Sequence, residues 1–168
     1  MDEIVKARDF LTKRKYREAG EILDKLLLSN KDNDELWYLR GVLSLKLKNY
    51  KRAQECLDRA IFIKKKAEYH KMKGMGYFEI YDLERALESF LESVALEPSD
   101  AVSHFFIGIS YMMLDDERAA DYIRKARQAD AKKTKQLLSN FYTLFIERDP
   151  RVSDAQKKRI AERIKTLG

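Results

Sequence analysis

Small side chains recur in this chain at a step of 33 or 34 residues, and that recurrence constrains the fold more than any other feature of the sequence. Ala7, Gly41, Gly74 and Gly108 are 34, 33 and 34 residues apart. Ala19, Ala53, Ala86 and Ala119 follow at 34, 33 and 33, and Leu26, Ala60, Ser93 and Ala126 keep the same steps. Larger residues hold the phase: Phe10, Tyr77 and Tyr111 come three after the first small residue, and Leu23, Leu57, Phe90 and Ile123 come four after the second. Self-similarity at such a period marks a repeat array. Only two prolines and six glycines occur in 168 residues, which favours long helices. Each unit therefore reads as a helix, a polar turn and a second helix, with Ala or Gly where the two rods cross closely. A Leu at Gly74 or Ala86 would overpack that crossing by roughly 1–3 kcal/mol.

The residues at these positions resemble the tetratricopeptide repeat family, whose pattern is Trp-x2-Leu-Gly-x2-Tyr, then Ala-x3-Phe, then Pro. Gly74-x2-Tyr77, Ala86-x3-Phe90 and Pro98 fit it best, with Lys73 at the Leu place. Ile107-Gly108-x2-Tyr111 followed by Ala119-x3-Ile123 is close. Trp37, Gly41, Tyr50, Ala53-x3-Leu57 and Ala60 match, with Arg40 at the Leu and Ser44 at the Tyr. The first unit has Ala7, Phe10, Tyr16, Ala19 and Leu23, but Glu3 at the Trp place. The resemblance implies an all-α, right-handed superhelical solenoid of four hairpins over residues 1–130 (1–33, 34–66, 67–100 and 101–130). A single hairpin cannot cover its apolar face, whereas stacked hairpins can. The turns are expected at Lys48-Asn49, Ile80-Tyr81-Asp82 and Asp115-Asp116, and Ser99 or Asp100 is the expected N-cap of the helix carrying Phe105.

Residues 131–168 depart from the pattern. Thr134 to Arg148 reads as another first helix, but Phe141 occupies the small-residue place, so no ordinary second helix can approach it closely. Asp149-Pro150 breaks the chain, and Ser153 is the expected N-cap of a basic helix, Asp154 to Leu167, with Ile160, Ile164 and Leu167 on one face. The expectation is a capping pair over the open edge of the array; the alternative is a last helix that folds into the groove or docks on a partner.

The sequence contains no constellation that points to catalysis. His70 and His104 are 34 apart and repeat the place of Trp37, which suits packing between helices; no Cys or carboxylate stands at ligand spacing, so no metal and no cofactor is expected. Cys56 is alone and sits on a packing helix, so it is expected to be an inert thiol in a reducing compartment. The N-terminus lacks the basic start and apolar run of a secretory signal, and no stretch approaches membrane-span length, which makes the expected location cytoplasmic. Lys plus Arg exceed Asp plus Glu by 34 to 28, a net charge of +6 that supports solubility more than nucleic-acid binding. The basic clusters Lys13-Arg14-Lys15, Lys64-Lys65-Lys66, Lys132-Lys133 and Lys157-Lys158-Arg159 fall near turns without interleaved aromatics, so nucleic acid is the alternative partner, not the expected one.

What remains is a protein-binding module, an adaptor and not an enzyme. In the family, the stripe one residue beyond the stacking stripe faces the concave groove. Here it reads Tyr38, Val42 and Leu45, then Lys71, Met75 and Phe78, then Phe105, Ile109 and Met112, and continues with Leu138, Tyr142 and Phe145. Lys46, Lys71 and Glu79 stand at its edge, and Arg8 interrupts it in the first unit. An apolar, Met-rich wall suits an apolar peptide or an amphipathic helix of another protein. Some relatives grip acidic chaperone tails with Lys, Asn and Arg; Tyr38, Leu39, Met72, Phe105 and Phe106 around the matching places argue against that. Self-association into a homo-oligomer is a further alternative.

Overall fold

The computed structural model describes residues 3–166, without the side chains of residues 163, 164 and 166. All the regular structure among the described residues is helical. Polar caps set several of the helix starts. Asn33 accepts from Leu36 N at 3.1 Å ahead of α3 (Asp34–Lys46), and Asn49 accepts from Arg52 N at 3.2 Å ahead of α4 (Tyr50–Ile63). Asp82 does the same for Arg85 N at 3.3 Å ahead of α6 (Leu83–Leu96). Each such bond satisfies one of the backbone donors that a helix start leaves unpaired. α1 (Glu3–Thr12), α2 (Tyr16–Ser29) and α5 (Ala67–Glu79) complete a first unit, residues 1–96.

Within that unit the pairs α1/α2, α3/α4 and α5/α6 are hairpins; α2 packs on α3 and α4 on α5, while α1 lies beside α3 and α3 beside α5. The expected close crossings are present. A Cβ on Gly41 would stand 2.8 Å from Leu57 Cγ and 3.4 Å from the Ala53 carbonyl, so the first small series lies directly against the second. A Cβ on Gly74 would meet the Phe90 ring at 2.9 Å. Gly76 marks a second tight contact, between hairpins, where an added Cβ would stand 2.6 Å from Gln54 Nε2 and 2.9 Å from Leu45 Cδ2. The core is built from Leu23, Leu36, Leu39, Leu43, Leu57 and Tyr69 around Ala7, Ala53 and Ala60.

The turn inside each hairpin is closed by a residue with positive φ: Arg14 (58°), Lys48 (60°), Tyr81 (60°) and Asp115 (55°). Each donates its N–H three residues back, as Lys48 N to Leu45 O at 2.9 Å, and the next residue donates five back, as Asn49 N to Ser44 O at 2.9 Å. This pair of bonds satisfies carbonyls at the helix end, and it normally recruits glycine. None of the four is glycine, so each turn carries a left-handed strain of about 1–2 kcal/mol.

The second unit, residues 97–168, begins with α7 (Ala101–Met113), which is capped by Asp100; its carboxylate accepts from Val102 N and Ser103 N, both at 3.3 Å. α7 and α8 (Ala119–Ala129) form a hairpin in which an added Cβ on Gly108 would meet Ile123 Cδ1 at 2.7 Å. α9 (Ala131–Phe141) packs on both. It starts earlier than Thr134 because Asp130 caps it, accepting from Lys133 N at 2.8 Å. It also ends earlier, widening into a π-helical turn, Tyr142–Ile146, where the rings of Phe141 and Phe145 stack with centroids 4.9 Å apart. Asp149-Pro150 ends the turn, and Ser153 caps α10 (Asp154–Thr166) reciprocally with Gln156, at 2.9 Å and 3.3 Å. Ile160 lies on α10; the Ile164 side chain and Leu167, expected on the same face, lie outside what is described. No helix among the described residues is long and apolar enough to cross a membrane.

Candidate functional site

The residues expected to line an inner wall lie on α3, α5 and α7, and packing has used several of them. In the first unit Tyr38, Leu45 and Phe78 are buried, Val42, Lys71 and Met75 are half-buried, and Lys46 and Glu79 are exposed. Tyr38, expected to supply contact area, instead stacks its ring on Tyr69 at 4.8 Å and donates its hydroxyl to Glu68 Oε1 at 2.6 Å. Leu45 presses on Gly76. Glu79, expected to orient a partner, accepts from Lys48 Nζ at 3.2 Å and from the Tyr50 hydroxyl at 3.0 Å.

A polar seam runs across the starts of these first helices. Tyr69 donates to Asp34 Oδ2 at 2.5 Å, Lys66 Nζ lies 2.6 Å from the same oxygen and donates to the Tyr69 hydroxyl at 2.8 Å. Arg8, which interrupts the apolar stripe, pairs with Glu35 at 2.5 Å. Burial works against the Asp34 carboxylate, but the bonds from Lys66 and Tyr69 outweigh it and hold Asp34 below its usual range. Burial, with the Asp34 bond, pushes the Tyr69 hydroxyl up to about 12, and burial, with the Glu68 bond, raises that of Tyr38. The seam couples successive hairpins and locks the tyrosines that would otherwise face outward.

In the second unit Phe105 and Ile109 are each 2% exposed, whereas Met112 is 48% exposed. Met112 and Ile109 open onto a cavity of about 580 Å³. Leu138, Phe141, Tyr142 and Ile146 form its far wall, Ile123 its floor between Ala119 and Ala120, and Ile160 of α10 stands at its edge, 37% exposed. The cavity joins the α7 stripe to its continuation, Leu138 and Tyr142. Its polar lining comes from α8: Arg124, paired with Asp121 at 2.9 Å, and Arg127. Sequence reasoning, directed at the first helices, passed over this pair; the available signal was two arginines three apart on the face of α8 that carries Ile123.

The remaining reactive side chains are engaged in packing. His104 donates from Nε2 to the Pro98 carbonyl at 2.8 Å, and its ring lies 5.9 Å from that of Tyr122. His70 is buried, which lowers its pKa, and burial likewise raises that of the Cys56 thiol, away from a reactive thiolate. Among the described residues no group of three or more His, Cys, Asp or Glu stands together as a metal site. Of the basic clusters, Lys13 pairs with Asp9 at 2.9 Å and Lys66 with Asp34, both at helix ends.

Residues 10–75 match the tetratricopeptide repeat family. A TPR repeat-containing protein of Methanocaldococcus jannaschii is 25% identical over 111 residues, which are 66% of this chain and 20% of that protein. The chain thus spans about a fifth of that relative's length. Among solved structures, MamA superposes with a TM-score of 0.73 at 21% identity, covering 79% of each chain. YrrB, described as a TPR protein with an unusual peptide-binding site, superposes at 0.65 with 25% identity, over 74% of this chain and 65% of its own.

Proposed function

We propose that this chain, whose residues 10–75 match the tetratricopeptide repeat family, is a non-enzymatic adaptor that holds an apolar segment of another polypeptide on its first-helix walls. The observation that carries the reading is the cavity in residues 97–168, where Ile109 and Met112 meet Leu138 and Tyr142 around unfilled apolar space. An exposed apolar recess of that size is costly in water unless something occupies it. In residues 1–96 the half-buried Val42 and Met75 offer a smaller apolar surface, with Lys46 and Lys71 beside it. The peptide-binding description of YrrB supports the same kind of role. We read residues 1–130 as four repeats and 131–168 as their cap, working in a reducing, cytoplasmic setting where Cys56 needs no disulfide partner.

The test is affinity capture from native lysate with the intact chain and two variants, Met112→Glu and Met75→Glu. Neither side chain is buried, so both variants keep their helical circular dichroism. Met112→Glu is expected to lose the captured polypeptide, and Met75→Glu to weaken it. Undiminished capture by both variants would remove the apolar walls from the account.

A further inference from the structure

We propose that the occupant of the cavity in residues 97–168 is an amphipathic helix bearing acidic residues beside its apolar face, with carboxylates that pair with Arg124 and Arg127. This rests on the reading above and adds the partner's chemistry. The apolar lining calls for an apolar anchor, and a volume of about 580 Å³ admits a cluster of bulky side chains from one segment. The charged residues that line it are of one sign, two arginines and no carboxylate.

Both arginines are available. Among the described residues Arg124 pairs with Asp121, its own neighbour on α8, in a pair whose two side chains are 66% and 62% exposed, and pairs so exposed exchange readily. Arg127 has no ion-pair partner among the described residues. The spacing favours a helix. Arg124 and Arg127 are three apart on α8, so they stand on one face at roughly 5–6 Å between Cβ atoms. Carboxylates three or four apart on a facing helix have the same separation, and they flank the apolar positions that enter the recess. A basic helix of equal apolarity would bring cation to cation, and charge of this kind discriminates partners more than it adds affinity.

The experiment uses the intact chain and two fluorescent synthetic helices with identical apolar residues. One has Glu at every flanking position and the other has Lys. Fluorescence anisotropy at low salt is expected to show the Glu helix bound about tenfold more tightly, with the difference shrinking as salt rises. Arg124→Glu with Arg127→Glu, both on exposed side chains, is expected to abolish or reverse the preference. The control, Lys31→Glu with Lys51→Glu, makes the same change in net charge on exposed residues elsewhere and is expected to keep it. Equal binding of both helices would overturn the acidic preference and leave the apolar reading standing. A preference that survives the arginine reversal, or vanishes with the control, would overturn the assignment to this rim. Binding of neither helix would overturn both readings.

Discussion

The hairpin α5/α6 and the segment that follows α8 show the same steric rule obeyed and broken. At Gly74 the absent side chain is replaced by the Phe90 ring of the facing helix, which is fully buried and leaves no space. At the corresponding place in α9 the chain carries Phe141, half-buried and stacked on Phe145, and beside it lies a cavity of about 580 Å³. A small residue brings two helices together until the neighbour's bulk fills the gap. A large one holds the crossing apart, and the array stops closing on itself. The end of the regular packing and the candidate binding site thus have one cause, and the comparison can be attacked from either side.

The largest expected effect separates the two phenylalanines. Phe90→Ala removes a fully enclosed ring from a crossing with no slack and is expected to cost about 3–5 kcal/mol. Phe141→Ala trims a half-buried ring that already borders open space and is expected to cost about 1 kcal/mol. Urea titrations with unchanged slope measure both. Equal costs would mean that the cavity wall is as tightly held as the hairpin interior, and the contrast drawn above would fail.

A smaller effect follows from filling in place of emptying. Gly74→Ala places a methyl 2.9 Å from carbons of the Phe90 ring, closer than packed carbons stand, and Phe90 has no room to retreat. The expected loss is about 1–3 kcal/mol, against the gain that Ala otherwise brings to a helix. A neutral or stabilising result would show that the crossing is looser than its geometry.

These crossings were legible in the sequence because only Gly, Ala or Ser fits where backbones nearly touch, and a fixed step of 33 or 34 residues is hard to mistake. The capping of α7 by Asp100 and of α10 by Ser153 was legible for a similar reason, since few side chains reach back to an unpaired backbone N–H. Other features were not. Tyr38, Phe105 and Ile109 sit on the apolar stripe, but periodicity cannot separate a side chain that faces a groove from one that packs on the next first helix. The turn residues Arg14, Lys48, Tyr81 and Asp115 hid their left-handed conformation because none is the glycine that would announce it. Arg124 and Arg127 were missed because a basic pair on a second helix reads as solvated surface until the cavity beside it is seen.

The smallest expected effect tests whether register, and not glycine itself, marks a close crossing. Gly20 lies within α2, adjacent to Ala19 but outside all three small series. A Cβ there would meet only Leu43 Cδ2, at 3.5 Å, which is ordinary van der Waals contact. Its backbone is helical without positive φ, so nothing local requires the missing side chain. Gly20→Ala should therefore stabilise the chain by about 0.5–1 kcal/mol, because alanine has less backbone freedom to lose on folding. The same substitution then has opposite signs at Gly74 and Gly20, although both glycines are helical and both lie in the first unit. The quantity that differs is the distance to the facing atom, 2.9 Å against 3.5 Å. A rise in the urea midpoint for Gly20→Ala beside a fall for Gly74→Ala would tie the cost to the crossing; a fall for both would return it to glycine as a residue type.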